Sequence, residues 1–438
     1  MELKRAEWIG RKARAAAAVV ALAAWLPGVA AAQVTGRIVQ PGATRMQIAV
    51  SPLAGDDRGA GQRFSEILSR NLILSGFFQV VDPKAYIEGS TPVALEQINF
   101  GSWRSLGAAA LIKGTIAVGA TGIEVEARMY DVYQQSQVGG QRYHASEEDL
   151  PRVARRFADA VLKYVTGETG PFDSRIGFVS RRAGRAKEVF AMSVDGYEMA
   201  QLTSNRTINL APSWHPEASS ILFTSFKDGN PSLYRLDLVS RAEQRLSAIH
   251  GLNLGGRWSP DGRRIAISLE RNGNADIFLL DTSGQVVKQL TSGPEIDVSP
   301  SWSPDGSRIA FVSSRAGGPQ IYVMGADGSG QQRLTFEGSY NTSPSWSPKG
   351  GVVAYVSRDR GFNIFTVDVG SRQAKQLTSG QGNNEDPSFS PDGRYLVFSS
   401  TRLGKPVLFL TDVAGAHQVQ LTKTGGDDTS PAWSPRLP

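Results

Sequence analysis

Four histidines, His144, His215, His250 and His417, are the only imidazoles in a chain of 438 residues that has no cysteine. Thiolate nucleophiles, disulfides and Cys/His zinc sites are therefore excluded, and no two histidines have the His-Glu-x-x-His spacing. A Gly-x-Ser-x-Gly elbow, a Gly-x-Gly-x-x-Gly turn after a strand and a phosphate-binding loop do not occur either. Carboxylates do recur in a fixed setting, as the Asp of Pro-Asp-Gly at Asp261, Asp305 and Asp392. That setting is turn chemistry: Pro presets φ, Asp bonds its own backbone and Gly accepts a positive φ. General acid–base catalysis needs groups that converge on one substrate, not one carboxylate repeated at long intervals. The reading is a non-enzyme with no catalytic residue, metal site or cofactor.

Those turns belong to a longer repeat. Trp214, Trp258, Trp302, Trp346, Phe389 and Trp433 follow one another at intervals of 44, 44, 44, 43 and 44 residues. The last copy stops short of its second strand. Arg175–Ser180 (RIGFVS), which matches Arg308–Ser313 (RIAFVS), supplies it from the front, and residues 175–438 number 264, six times 44. In the copy around Trp302, four short strands are expected at Ser299–Ser303, Arg308–Ser313, Gln320–Met324 and Gln332–Thr335. Six such units arranged radially predict an all-β six-bladed β-propeller over 175–438, locked by the displaced strand. The six aromatics, and the leucines Leu202, Leu246, Leu290, Leu334, Leu377 and Leu421 of the Leu-Thr or Leu-Ser pairs, read as packing between blades. His215 stands where other copies have Ser, a repeat variant.

The front of the chain has no such period. Five basic residues within 1–14, an apolar run over Ala15–Leu26 and the Ala30–Ala32 site read as a secretory signal over 1–32, cleaved between Ala32 and Gln33. The run is too short to span a bilayer. Removal of the signal lowers the formal charge from +6 to +3. With no basic-aromatic platform, that bias does not point to nucleic acid. Export without cysteine suggests a bacterial periplasm. Residues 33–168 read as a separate α/β domain: strands near Met46–Leu53, Phe77–Val81, Ala110–Gly119, Ile123–Tyr133 and Gly139–His144, and helices over Gln62–Leu74 and from Ser146 to about Val165. Residues 169–174 read as a linker.

Propeller geometry puts the loops from strand D to the next strand A on the same face as the B–C loops, but nearer the axis. The D–A loops carry Glu295, Asp297, Glu337, Glu385, Asp386, Asp427 and Asp428 against Arg206 and Lys423, a net of −5. The B–C loops carry eleven basic and five acidic residues, a net of +6. The expectation is an acidic centre inside a basic rim. It serves either to steer a basic protrusion of a partner or simply to pair charges between neighbouring loops.

A signal peptide, a small α/β domain and six Trp-Ser-Pro-Asp-Gly blades, in that order and with a terminal Pro-Ala-Trp-Ser-Pro, resemble the TolB family, periplasmic components of the Tol-Pal system. The resemblance covers the whole chain. It implies a non-enzymatic adaptor, monomeric and not membrane-spanning, that supports outer-membrane invagination during division and outer-membrane integrity. Its implied partners are the lipoprotein Pal at the propeller loop face and TolA through the N-terminal segment, with other outer-membrane lipoproteins and porins as further partners. Arg37-Ile38-Val39 resembles a tripeptide of the family's TolA-binding segment, which places that segment at 33–44, with Gln33 and Val34 leading it. The Pal positions carry over to Ile208, Asn209, Leu252, Asn253, Asp297, Val298, Asn341, Thr342, Asn384, Glu385, Asp427 and Asp428. A family histidine is replaced by Leu252, with His250 nearby. The rivals are a propeller-domain hydrolase or lyase and a peptide- or carbohydrate-binding propeller. Tyr340, the only aromatic in the D–A loops apart from the strand-end Phe336, gives the latter little support.

Overall fold

The computed structural model describes residues 45–438 except 56–57, 183, 248–250, 252, 272, 359 and 424. The expected signal, the Ala32/Gln33 cleavage site, the 33–44 segment with Gln33, Val34, Arg37, Ile38 and Val39, and the residues His250 and Leu252 lie outside the described residues. The described chain divides between Asp173 and Ser174 into two units.

The first unit is a five-stranded mixed sheet in the order β2-β1-β3-β4-β5. Its strands are β1 (Met46–Val50), β2 (Phe78–Val80), β3 (Ala110–Gly119), β4 (Gly122–Asp131) and β5 (Ser136–Ala145). Strand β1 lies parallel to both β2 and β3, and all of its residues except Gln47 are buried. Two amphipathic helices, α1 (Ala60–Leu74) and α3 (Leu150–Thr166), pack against each other, with the rings of Phe64 and Phe157 6.2 Å apart. A third helix, α2 (Phe100–Ser105), inserts Trp103, which stacks edge-on to Tyr86 at 5.0 Å. Nearby, the fully buried Lys113 ammonium is held by Glu88 at 2.8 Å and by the Gly89 carbonyl at 2.7 Å. The segment expected as a linker is fastened to α3. Asp159 accepts the Phe172 and Asp173 amides at 2.7 and 2.9 Å, and Arg152 pairs with Asp173 at 3.0 Å.

The second unit is a six-bladed propeller of four-stranded antiparallel sheets. Blades 1 to 5 span Asn209–Ser247, Asn253–Gln289, Asp297–Arg333, Asn341–Gln376 and Asn384–Gln420, and blade 6 joins Thr429–Trp433 to Arg175–Gln201. The closure predicted from the repeat is present. Trp433 pairs with Ile176, Arg175 donates its amide to Ser434 Oγ at 2.8 Å, and the Trp433 indole donates to Ser174 Oγ at 2.8 Å. Trp214 and Trp302 likewise donate across blade junctions, to the carbonyls of Ala432 at 2.9 Å and Arg257 at 3.1 Å.

Strand A begins two residues earlier than the sequence suggested: in blade 3 it is Asp297–Trp302, not Ser299–Ser303. The cause is a β-bulge. Ser299 and Pro300 together oppose one residue of strand B, and the register shifts between Val298 and Ser301. The first bulge residue is left-handed in every blade: Ala211, Ser299, Ser343, Asp386 and Ser430 have φ between 48° and 56°, and Gly255 has φ 67°. The second is Pro in five blades, tolerated because a bulge residue needs no ladder N–H.

Candidate partner-docking face

The D–A and B–C loops meet at one end of the ring. The residues that open strand A there, Asn209, Asn253, Asp297, Asn341 and Asn384, and Asp428 just before Thr429, are all at most 1 % exposed. They are half of the twelve positions carried over from the family resemblance. Burial takes their side chains away from any partner, because each reaches sideways between strands and blades. Asn209 donates to Glu188 Oε2 of the preceding blade at 2.9 Å, and Asn341 donates to Gln320 Oε1 at 2.8 Å. A threonine completes the clasp. Thr203 donates to Glu188 at 2.6 Å and Thr335 to Gln320 at 2.8 Å, while each oxygen also accepts a strand C amide. This is the work of the Thr in the repeated Leu-Thr pair, which the sequence showed only as packing.

Two junctions lack the amide, those at Asp297 and Asp428. Between blades 2 and 3 the clasp sets Asp276 against Asp297. Thr291 still donates to Asp276 at 3.0 Å, but a carboxylate has no proton to offer, and Asp297 Oδ1 is buried without a partner. Burial foremost, and the Asp297 charge after it, push the Asp276 carboxyl above the usual carboxylate range. Asp297 is compensated from outside by Arg315 at 2.8 Å.

Several charges of the expected acidic centre are neutralised in the same way. Arg182 pairs with the fully buried Asp428, and Arg181 lies 3.8 Å from Asp427. Arg402 donates to Asn384 at 3.0 Å. Inner acids and outer bases thus meet across the loops at three places, as the pairing alternative expected. Glu295, Glu337 and Glu385 have no ion pair among the described residues. Glu385 is half-buried, and burial, then the Asp386 charge, hold its carboxyl above the usual range.

The side chains left facing solvent are therefore few and unevenly spread. Ile208 is 46 % exposed and Ile296 54 %. Val298, Thr342, Glu385 and Asp427 are partly exposed, as is Tyr340, which stacks edge-on to Phe362 at 6.0 Å. Just before the buried Asn or Asp, blades 1, 3 and 4 present Ile208, Ile296 and Tyr340, whereas blades 5 and 6 present Asn383 and Asp427, with Glu385 beside them. An apolar sector thus adjoins an acidic one. Sequence reasoning missed Ile296; the signal was its place, one residue before the buried Asp, shared with Ile208 and Tyr340. Elsewhere His215 packs edge-on to Trp258 at 4.8 Å, a structural role. No cluster of three metal-ligating side chains occurs among the described residues.

Known proteins resemble the chain along most of its length. A family model described as the TolB beta propeller domain matches residues 162–437, and one described as the TolB amino-terminal domain matches 34–138. A Tol-Pal system protein TolB from Desulfosudis oleivorans is 38% identical over 177 residues, 40% of this chain and 40% of its own. One from Anaeromyxobacter dehalogenans is 39% identical over 234 residues, 52% of this chain and 54% of its own. The chain thus spans about half the length of the curated relatives it matches. The crystal structure of TolB from Acinetobacter baumannii superposes with a TM-score of 0.80 at 27% identity, covering 91% of this chain and 98% of that one.

Proposed function

The chain belongs to the TolB family of Tol-Pal system proteins, which are not enzymes, and from that premise we propose that it is a periplasmic adaptor with two binding sites. Pal docks on the loop face of the propeller, and TolA is bound by the segment 33–44, with Gln33, Val34, Arg37, Ile38 and Val39 as its contacts. The signal is cleaved between Ala32 and Gln33. Other outer-membrane lipoproteins and porins are secondary partners. The adaptor acts as a monomer and supports outer-membrane invagination during division and outer-membrane integrity.

The observation that carries the Pal site is the exposed apolar sector of Ile208, Ile296 and Tyr340 beside the acidic Glu385 and Asp427. Exposed apolar groups rimmed by charge are the ordinary form of a protein-binding patch. Val298 and Thr342 belong to the same face, and Leu252 is proposed with them from the family resemblance alone. The buried Asn209, Asn253, Asp297, Asn341, Asn384 and Asp428 serve by fixing the loops. No helix among the described residues is long and apolar enough to cross a membrane. Occupancy of the face changes the availability of the 33–44 segment, a coupling between two sites.

The test is a pull-down of purified TolA and Pal with the whole mature chain and with a version lacking residues 33–44. Loss of TolA binding with Pal retained supports the assignment, and unchanged TolA binding refutes it.

A further inference from the structure

At the end of the channel opposite the docking face, the A–B turns surround a cavity of about 460 Å³, within the ~300–1,000 Å³ range of small-ligand sites. Its wall repeats a serine, the fifth residue of strand A, in blades 1, 3, 4 and 5. Blade 2 departs from that pattern with Arg257. Arg257 is partly exposed on the cavity wall, and its Nη1 donates to the Pro212 carbonyl at 3.0 Å. None of the ion pairs among the described residues includes it. Burial depresses its pKa, and among the described residues the carboxylate whose charge acts on it is Asp386, in the diametrically opposite blade. Both Asp386 oxygens are already engaged by the hydroxyls of Ser343 at 3.3 Å and Ser430 at 3.0 Å. A partly buried cation without an ion pair favours a counter-charge from outside.

The surrounding polar groups are donors. Ser301 Oγ and Ser388 Oγ accept the amides of Trp346 at 3.0 Å and Trp433 at 2.9 Å, which leaves their protons to point elsewhere. The indole N–H groups of Trp258 and Trp346 are buried without a partner, and both residues line the cavity. One cation and several free donors are the complement of an oxyanion, and a guanidinium grips a carboxylate or phosphate with two parallel bonds.

We propose that this mouth of the channel binds a small oxyanion, a carboxylate or phosphate group, held by Arg257 with the serine hydroxyls and the indoles of Trp258 and Trp346. The site is separate from the Pal face and does not depend on it. The purified full chain is titrated with inorganic phosphate and with acetate, each against chloride at equal ionic strength, while tryptophan fluorescence and Tm are followed. A saturable change with either oxyanion supports the site, and the stronger of the two tells a tetrahedral from a planar ligand. Arg257→Ser copies four other blades and keeps the fold, and its affinity falls at least tenfold. Arg257→Lys, a second variant that keeps the charge, binds several-fold more weakly because the fork is gone. Equal responses to chloride and both oxyanions, or wild-type affinity in either variant, overturn the proposal.

Discussion

The A–B turns at one end of the propeller and the D–A loops at the other are joined by the same strands, yet they vary in opposite ways. The turns repeat Ser-Pro-Asp-Gly with little change, and the Ser and Asp side chains are used up locally: Ser303 Oγ donates to Asp305 at 2.5 Å and accepts the Arg308 amide at 2.9 Å. At the loop end the six blades share only a buried Asn or Asp and differ in the residue just before it. Repetition marks what holds the ring, and variation marks what faces a partner. The exception within the repeated end, Arg257, is the one place there where a ligand is expected.

This contrast can be broken in several ways. The largest effect is expected at the closure. Trp433→Ala removes a buried indole from the strand that locks the ring and should cost about 3–5 kcal/mol in denaturant unfolding of the propeller. A loss no greater than that of Trp302→Ala, where the ring is partly exposed, would show that blade 6 is not special. Next comes the buried ring at the loop end. Asn341→Ala leaves Gln320 short of a donor and should lower stability by about 1–3 kcal/mol. Unchanged urea unfolding would sink the clasp. Ile208→Asp should do the reverse, leaving stability within about 0.5 kcal/mol and weakening Pal at least about tenfold, roughly 1.4 kcal/mol, in calorimetry. Should Asn341→Ala weaken Pal more than Ile208→Asp does, the division between holding and facing residues fails.

The smallest effect concerns the carboxylate pair. Asp297→Asn restores the donor that other blades offer, and Arg315 can still cap the side chain, as Arg402 caps Asn384. The variant should gain about 1 kcal/mol near pH 7. A carboxyl whose folded pKa is raised contributes stability when protonated, below its unfolded value of about 3.9, and loses it as pH rises through the folded pKa. Asp276 is such a group, so the advantage of the variant should shrink as pH falls through that raised value. An advantage independent of pH would mean that Asp276 does not sense Asp297.

The six blades and their closure were legible because a fixed period survives any local irregularity, and Arg175–Ser180 carries the letters of the strand it replaces. Where strand A begins was not legible. The left-handed residue and proline of the bulge interrupt the alternation that marks a strand, so Asp297 and Asn341 read as loop residues and hence as surface. That two-residue displacement turns a buried clasp into an apparent contact set. In the first unit the helices around Phe64 and Phe157 followed from their spacing. The packing of Trp103 against Tyr86 did not, because an irregular segment has no period to betray it. The exposed Ile296 is a loop residue defined only by its neighbours' burial.

The hydrogen bond from the Arg175 amide to Ser434 joins positions 259 apart. Loop closure on that scale is entropically dear at the moment of pairing and is repaid only when the whole circle packs. Blades 1 to 5 can each form from neighbouring residues, but blade 6 holds only the three strands within Arg175–Gln201 until its fourth, Thr429–Trp433, arrives. The ring therefore completes itself last and all at once. Until then, the first propeller strand is an open edge, and a chain threaded through a narrow passage in sequence order stays loose until its final blade is through.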